Sequence, residues 1–237
     1  NYLYNEAAVC LILRLLDRGE QAILAALDLV HETGSSKWFN TLMVGVYVRL
    51  HAKNYRGAFD YYKMATTHDR FSTLFPANQD IFRLLGAHLK ALEQRKRLKL
   101  GFQDEDWFKG FDETVFLSNE FAFNADKQGL NVTSFLVQIL ILPHRGEREM
   151  LATKADALRK YAERHLVEAS IIRSKLAVDA FLKLSEFVFE NAQEAILEIG
   201  LELRQKLIGH PILVYSQHHE LEMMPFDDLA FLFLEPG

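Results

Sequence analysis

The chain has 237 residues and a mass of 27.3 kDa, with 49% hydrophobic and 25% charged side chains, the balance of a core-forming globular protein of one or two domains. Only 12 Gly and 5 Pro, and more Leu and Ala than Val, Ile and Thr, favour long helices and exclude β-sandwiches, barrels, collagen-like and disordered chains. All 27 Lys and Arg precede residue 211 and Glu220, Glu222, Asp227, Asp228 and Glu235 follow it, so the net charge of −5 belongs to the tail and leaves the body without the basic footprint of a nucleic-acid binder.

Tyr2–Asp17 carries apolar residues at helical spacing (Leu3, Ala7, Cys10, Leu11, Leu15), and the polar stretch Asp17-Arg18-Gly19-Glu20 is expected to end that helix. A second helix is expected over Gln21–His31. Gly34-Ser35-Ser36 then reads as a stop followed by a cap. Helices over Lys37–Ala52 and Tyr55–Thr67, joined by a tight Lys53-Asn54 turn, complete two antiparallel pairs, an arrangement typical of helical-hairpin repeats. Pro76 opens a fifth helix that runs to Leu98. Gly101–Gly110 is a charged, aromatic loop, and Phe111–Asn124 reads as short helices.

Further along, Asn131 is expected to cap a helix that ends before Pro143. Glu147–His165 is amphipathic, and Ala169–Glu190 with Gln193–Ile208 forms another pair. His210-Pro211 breaks the pattern, Ile212–Tyr215 is expected to be extended, and Pro225–Leu234 to be a short terminal helix. The densest apolar stretch, Phe135–Leu142, falls well short of the roughly 20 residues a membrane span needs. No Lys or Arg precedes the first apolar stretch, so a signal peptide is not expected. The start on helical sequence without Met points to a piece of a longer polypeptide. Single Cys10, inside an apolar run, reads as a buried small hydrophobe.

Tyr55, Ala58, Tyr62 and Ala65 share one helix face. A small residue at Ala58 admits the paired helix while aromatics fill the space on either side. This stretch resembles the second helix of a tetratricopeptide repeat, with an echo at Gly19, Ala22, Ala26 and Leu29; Arg49 falls where the family prefers a Tyr in the first helix. The distal half, at Gly129-Leu130-Asn131-Val132 and Ala157–Leu166, is similar to helical-repeat proteins of bacteria without an assigned activity. The resemblance implies an all-α solenoid of antiparallel helix pairs, about nine or ten helices, with hairpins over 1–99. Further pairs and an acidic, apolar cap would occupy 100–237. It also implies a cytoplasmic, non-enzymatic scaffold that binds a protein or peptide partner in a groove built by the first helices.

Mapped onto this chain, that groove comprises Tyr4, Ala7, Leu11 and Arg14 in one pair, then Asn40, Met43, Tyr47 and His51 in the next. Family members that grip a C-terminal carboxylate use Lys and Asn at two positions held here by Met43 and Tyr47, so a helix or extended apolar segment is the expected occupant. Trp107 and Phe108, with Phe111, are hot-spot candidates if exposed and core aromatics otherwise. The basic run Arg95, Lys96, Arg97 and Lys99 supports an alternative nucleic-acid contact, although cations are also favoured at a helix C-terminus. His218, His219, Glu220 and Glu222 carry metal-ligand chemistry without ligand spacing. Asp104, Glu105, Asp106, Asp112 and Glu113 read as a solvated loop. No cofactor or catalytic fingerprint is present, and Asn131-Val132-Thr133 reads as a helix cap rather than a glycosylation acceptor.

Overall fold

The computed structural model describes residues 2–30, 32–101, 104, 112–118, 130–166, 172–190, 192–210 and 222–234. Among them are eleven α-helices and no strand. We number them α1 (Tyr2–Ile12), α2 (Leu16–Leu29), α3 (Ser36–His51), α4 (Tyr55–Thr66), α5 (Pro76–Gln94), α6 (Glu113–Ser118), α7 (Leu130–Ile141), α8 (Arg148–His165), α9 (Ile172–Phe187), α10 (Gln193–Ile208) and α11 (Phe226–Phe231). Short 3-10 turns cover Asp69–Thr73, Leu142–Arg145 and Leu232–Leu234. The chain divides into two compact units, Asn1–Glu93 with Arg97–Glu113, and Gln94–Lys96 with Thr114–Gly237.

In the first unit, α1 packs on α2, α2 on α3 and α3 on α4, with α1 also reaching α3. Side chains dictate where the helices stop and start. Asn54 caps α4 by accepting from the Gly57 N–H at 3.0 Å, and Ser35 caps α3 by accepting from the Trp38 N–H at 3.3 Å, each satisfying a donor the helix leaves free. Gly34 has φ +77°, and a Cβ there would lie 2.2 Å from the His68 ring. Glycine thus meets a backbone and a packing requirement at one position.

The first break differs from expectation. The helix ends at Ile12, and Asp17-Arg18-Gly19-Glu20 lies inside α2. Arg14 turns the chain by adopting a left-handed φ of 57°, which lets the Leu15 N–H reach the Cys10 carbonyl at 2.8 Å, a Schellman-type closure. Gly19 packs rather than breaks: a Cβ there would sit 3.4 Å from Cys10 and Val48. The same device ends α3 and α5. Lys53 and Lys96 both have φ 58°, and the next N–H groups return to Arg49 and Leu92.

Ala58, Tyr62 and Ala65 are buried, as are Ala22 and Ala26, so the small residues sit where helices meet. The echo fails at Leu29, which is 64% exposed where Ala65 is fully buried.

In the second unit, α9 is the hub: α7, α8, α10 and α11 all pack on it. The helix expected from Asn131 begins one residue earlier, placing Asn131 inside the first turn of α7. Leu142–Arg145 tightens to 3-10 around Pro143, and Gly146 at φ 71° releases the chain into α8. The apolar tail is buried at Met223, Met224, Phe226, Leu229, Leu232 and Phe233, packed on α9 and α10. Gly200 gives it room, since a Cβ there would lie 3.0 Å from the Phe231 ring. Two arginines pair with three of the tail's carboxylates. Arg204 pairs with Asp227 at 2.8 Å and Asp228 at 3.3 Å, and buried Arg173 pairs with buried Glu222 while donating to the Leu207 and His210 carbonyls.

Candidate functional site

A cleft of about 840 Å³ opens in the first unit where three helix ends converge. The start of α1 contributes Tyr2, Leu3, Tyr4 and Asn5, the end of α2 contributes Ala26, Leu29 and Val30, and the start of α3 contributes Ser35 through Lys37, Asn40 and Thr41. Its size suits a bound segment or small ligand. Tyr2 is 77% exposed and, with Leu29, presents apolar surface at the opening. Glu32, also in the lining, is neutralised by Arg70.

The groove residues expected from the repeat resemblance separate into three groups. Asn40 lines this cleft, and Tyr4 beside it does too. Met43 is half-buried and Arg14 is exposed at the left-handed turn after α1. Tyr47 and His51 require correction: at 3% and 7% exposure they are core residues, not an open lining. Burial pushes the Tyr47 phenol well above its ordinary pKa, with the Tyr4 charge adding to the effect, and its hydroxyl has no hydrogen-bond partner among the described residues. The sequence pattern locates α3 but is silent on α1 crossing its face. Lys37, Leu29 and Tyr2 were not expected in the site, because a groove read along helix faces misses one formed at helix ends.

A polar network ties α2, α3 and α4 together on another side of the unit. Arg49 donates to Glu20 at 3.0 Å and to the Gly57 carbonyl at 2.8 Å, and stacks over the Tyr61 ring. Arg56 and Lys63 on α4 both reach Asp104 at 2.7 Å. The Lys63 hydrogen bond, followed by Arg56, holds the Asp104 carboxyl below its usual range. Asp104 is therefore an anchor, not a solvated acid.

The nucleic-acid alternative loses one of its residues. Arg95 is 9% exposed and donates to the Leu140 carbonyl at 3.4 Å, whereas Lys96, Arg97 and Lys99 are exposed. Trp107 and Phe108 lie outside the described residues, as do Phe111, Glu105, Asp106, His218, His219 and Glu220. Glu222 is committed to Arg173. No group of three or more metal-ligating side chains occurs among the described residues. No helix among them is long and apolar enough to cross a membrane. A second groove of about 370 Å³, between α8 and α9, mixes Arg148 and Arg159 with Asp156, Glu186 and Glu190; Arg148 there stacks on Phe189 at 4.6 Å.

No protein-family model matches the chain, and neither a curated protein nor a solved structure matches it.

Proposed function

We propose that the chain is a non-enzymatic scaffold of tetratricopeptide-like helix pairs, and that the cleft at the ends of α1, α2 and α3 holds a segment of a partner protein. The observation that carries this reading is the convergence of exposed apolar side chains, Tyr2 and Leu29, with Asn40 in one cleft of about 840 Å³. Desolvating such side chains supplies binding energy, and the amides at the rim orient a backbone. Repeat geometry is supported by the small residues at Ala22, Ala26 and Ala58 and by the shared left-handed closure after α1, α3 and α5.

The test is site-directed photo-crosslinking in the host cell. A crosslinker at Leu29 is expected to give a discrete protein adduct, whereas one at Phe75, which at 77% exposure is even more solvent-facing than Leu29 at 64% but lies outside the cleft, gives none. Equal yields at the two positions would refute the cleft as the binding site.

A further inference from the structure

The reading of the cleft as a partner site leaves open what it recognises, and the charge in its lining bears on that question. Lys37 has no partner among the described residues, and a lysine ammonium is a donor without acceptor capacity. Among the described residues Glu32 is the one carboxylate in the lining, and Arg70 pairs with it. Asn5 and Asn40 likewise have no partner among the described residues, so both amides keep their N–H₂ donors and their carbonyl acceptors free. The Tyr4 phenol adds an O–H.

Two hydroxyls of the lining are used within the protein. The Ser35 hydroxyl already accepts from the Trp38 N–H. The Thr41 hydroxyl is turned inward, donating to the Lys37 carbonyl at 2.8 Å. What remains is an apolar patch of Tyr2, Leu29 and Val30 bordered by amides that both donate and accept, and by one cation without a counter-charge among the described residues. Opposite charge is the complement of such a surface.

We propose, resting on the reading of the cleft as a partner site, that it selects an acidic peptide segment. Apolar side chains of the segment cover Tyr2 and Leu29, a flanking Asp or Glu carboxylate meets Lys37, and the Asn5 and Asn40 amides donate to its carbonyls. A basic segment of the same hydrophobicity is rejected, because it brings a second cation to Lys37.

The experiment uses a displayed library of random twelve-residue peptides selected on the whole chain, with the most enriched peptide then synthesised and titrated by fluorescence anisotropy. The expected pool is rich in Asp and Glu beside apolar residues. Replacing the acids of that peptide by Asn and Gln weakens binding about 5-fold, the scale of one solvent-exposed ion pair. Lys37→Glu weakens the acidic peptide by at least that factor and the neutral version by less. Lys37 is exposed in the first turn of α3, where a carboxylate is favoured by the helix dipole, so the variant keeps the fold; circular dichroism checks this.

A pool without acidic enrichment, or an acidic peptide indifferent to Lys37→Glu but lost with Leu29→Asp, overturns the charge selection and leaves the cleft as the site. A peptide indifferent to both variants binds elsewhere and overturns the cleft itself.

Discussion

The guanidinium carbon of Arg49 lies 3.5 Å from the centroid of the Tyr61 ring, and both side chains converge on Glu20, the Tyr61 hydroxyl donating to it at 3.3 Å. One arginine on α3 thereby joins a carboxylate of α2 to an aromatic of α4. Burial pushes the Tyr61 phenol up to about 12, with Arg49 acting against that rise, so the ring remains a neutral platform for the cation. Gly45 leaves the space, since a Cβ there would come within 2.7 Å of the ring.

Arg49→Lys keeps the charge but loses the planar stack and the fork onto Glu20 and Gly57. We expect it to cost about 1–2 kcal/mol, the range of a partly desolvated cation–π contact, read as a lower urea midpoint. Gly45→Ala should cost a similar amount or more by forcing Tyr61 aside.

Tyr47 separates packing from polarity. Tyr47→Phe removes a buried hydroxyl that has no partner among the described residues and keeps the ring, so stability should be unchanged or slightly higher. Tyr47→Ala empties a core position and should cost roughly 3–5 kcal/mol. Equal losses in chemical denaturation of the two variants would contradict this account.

His88 makes stability depend on pH. Burial lowers its pKa from 6.5 to about 4, opposed by the contact of Nδ1 with the Leu84 carbonyl. Above the unfolded value both states carry a neutral ring and the group contributes no slope. As pH falls from 6.5 towards 4 the unfolded ring takes up a proton that the folded ring refuses, so stability declines across that window and levels off below it. The loss is on the order of 3 kcal/mol. In His88→Gln the difference from wild type should vary with pH over that window; a constant difference between pH 7 and pH 4 would contradict the assignment.

How much of this was legible in the sequence depends on which physical signal each feature carries. Caps are local, so Ser35 and the Pro76 start were readable from residue type alone, and so was the helix from Gln193 to Ile208, whereas Asn54 read only as part of a turn and its capping bond is a structural finding. The turn at Arg14 was not, because a left-handed residue that is not glycine leaves no compositional mark, and Gly19 drew the break to itself. The site was half legible: Asn40 follows from its place on α3, but the burial of Tyr47 and His51 depends on tertiary packing that spacing along one helix does not contain. Likewise the excess of acid in the tail was visible, but its partners Arg173 and Arg204 come from distant helices.

Breaking the buried pair in the second unit should release the tail. Glu222→Gln leaves the Arg173 guanidinium buried without its carboxylate, a change that typically costs 3–5 kcal/mol for a buried ion pair. Amide hydrogen exchange over 222–234 should accelerate while α3 retains its protection. Unchanged exchange in the tail would show that its apolar contacts suffice without the pair.

The cleft itself is tested most directly by affinity for the protein captured at Leu29. Leu29→Asp places a charge on an exposed apolar wall of the cleft, and Leu201→Asp does the same at a comparably exposed position on α10. Isothermal titration should show at least about a tenfold loss for Leu29→Asp, equivalent to about 1.4 kcal/mol, and wild-type affinity for Leu201→Asp. Wild-type affinity for both, or equal losses in both, would contradict a partner site at the ends of α1, α2 and α3.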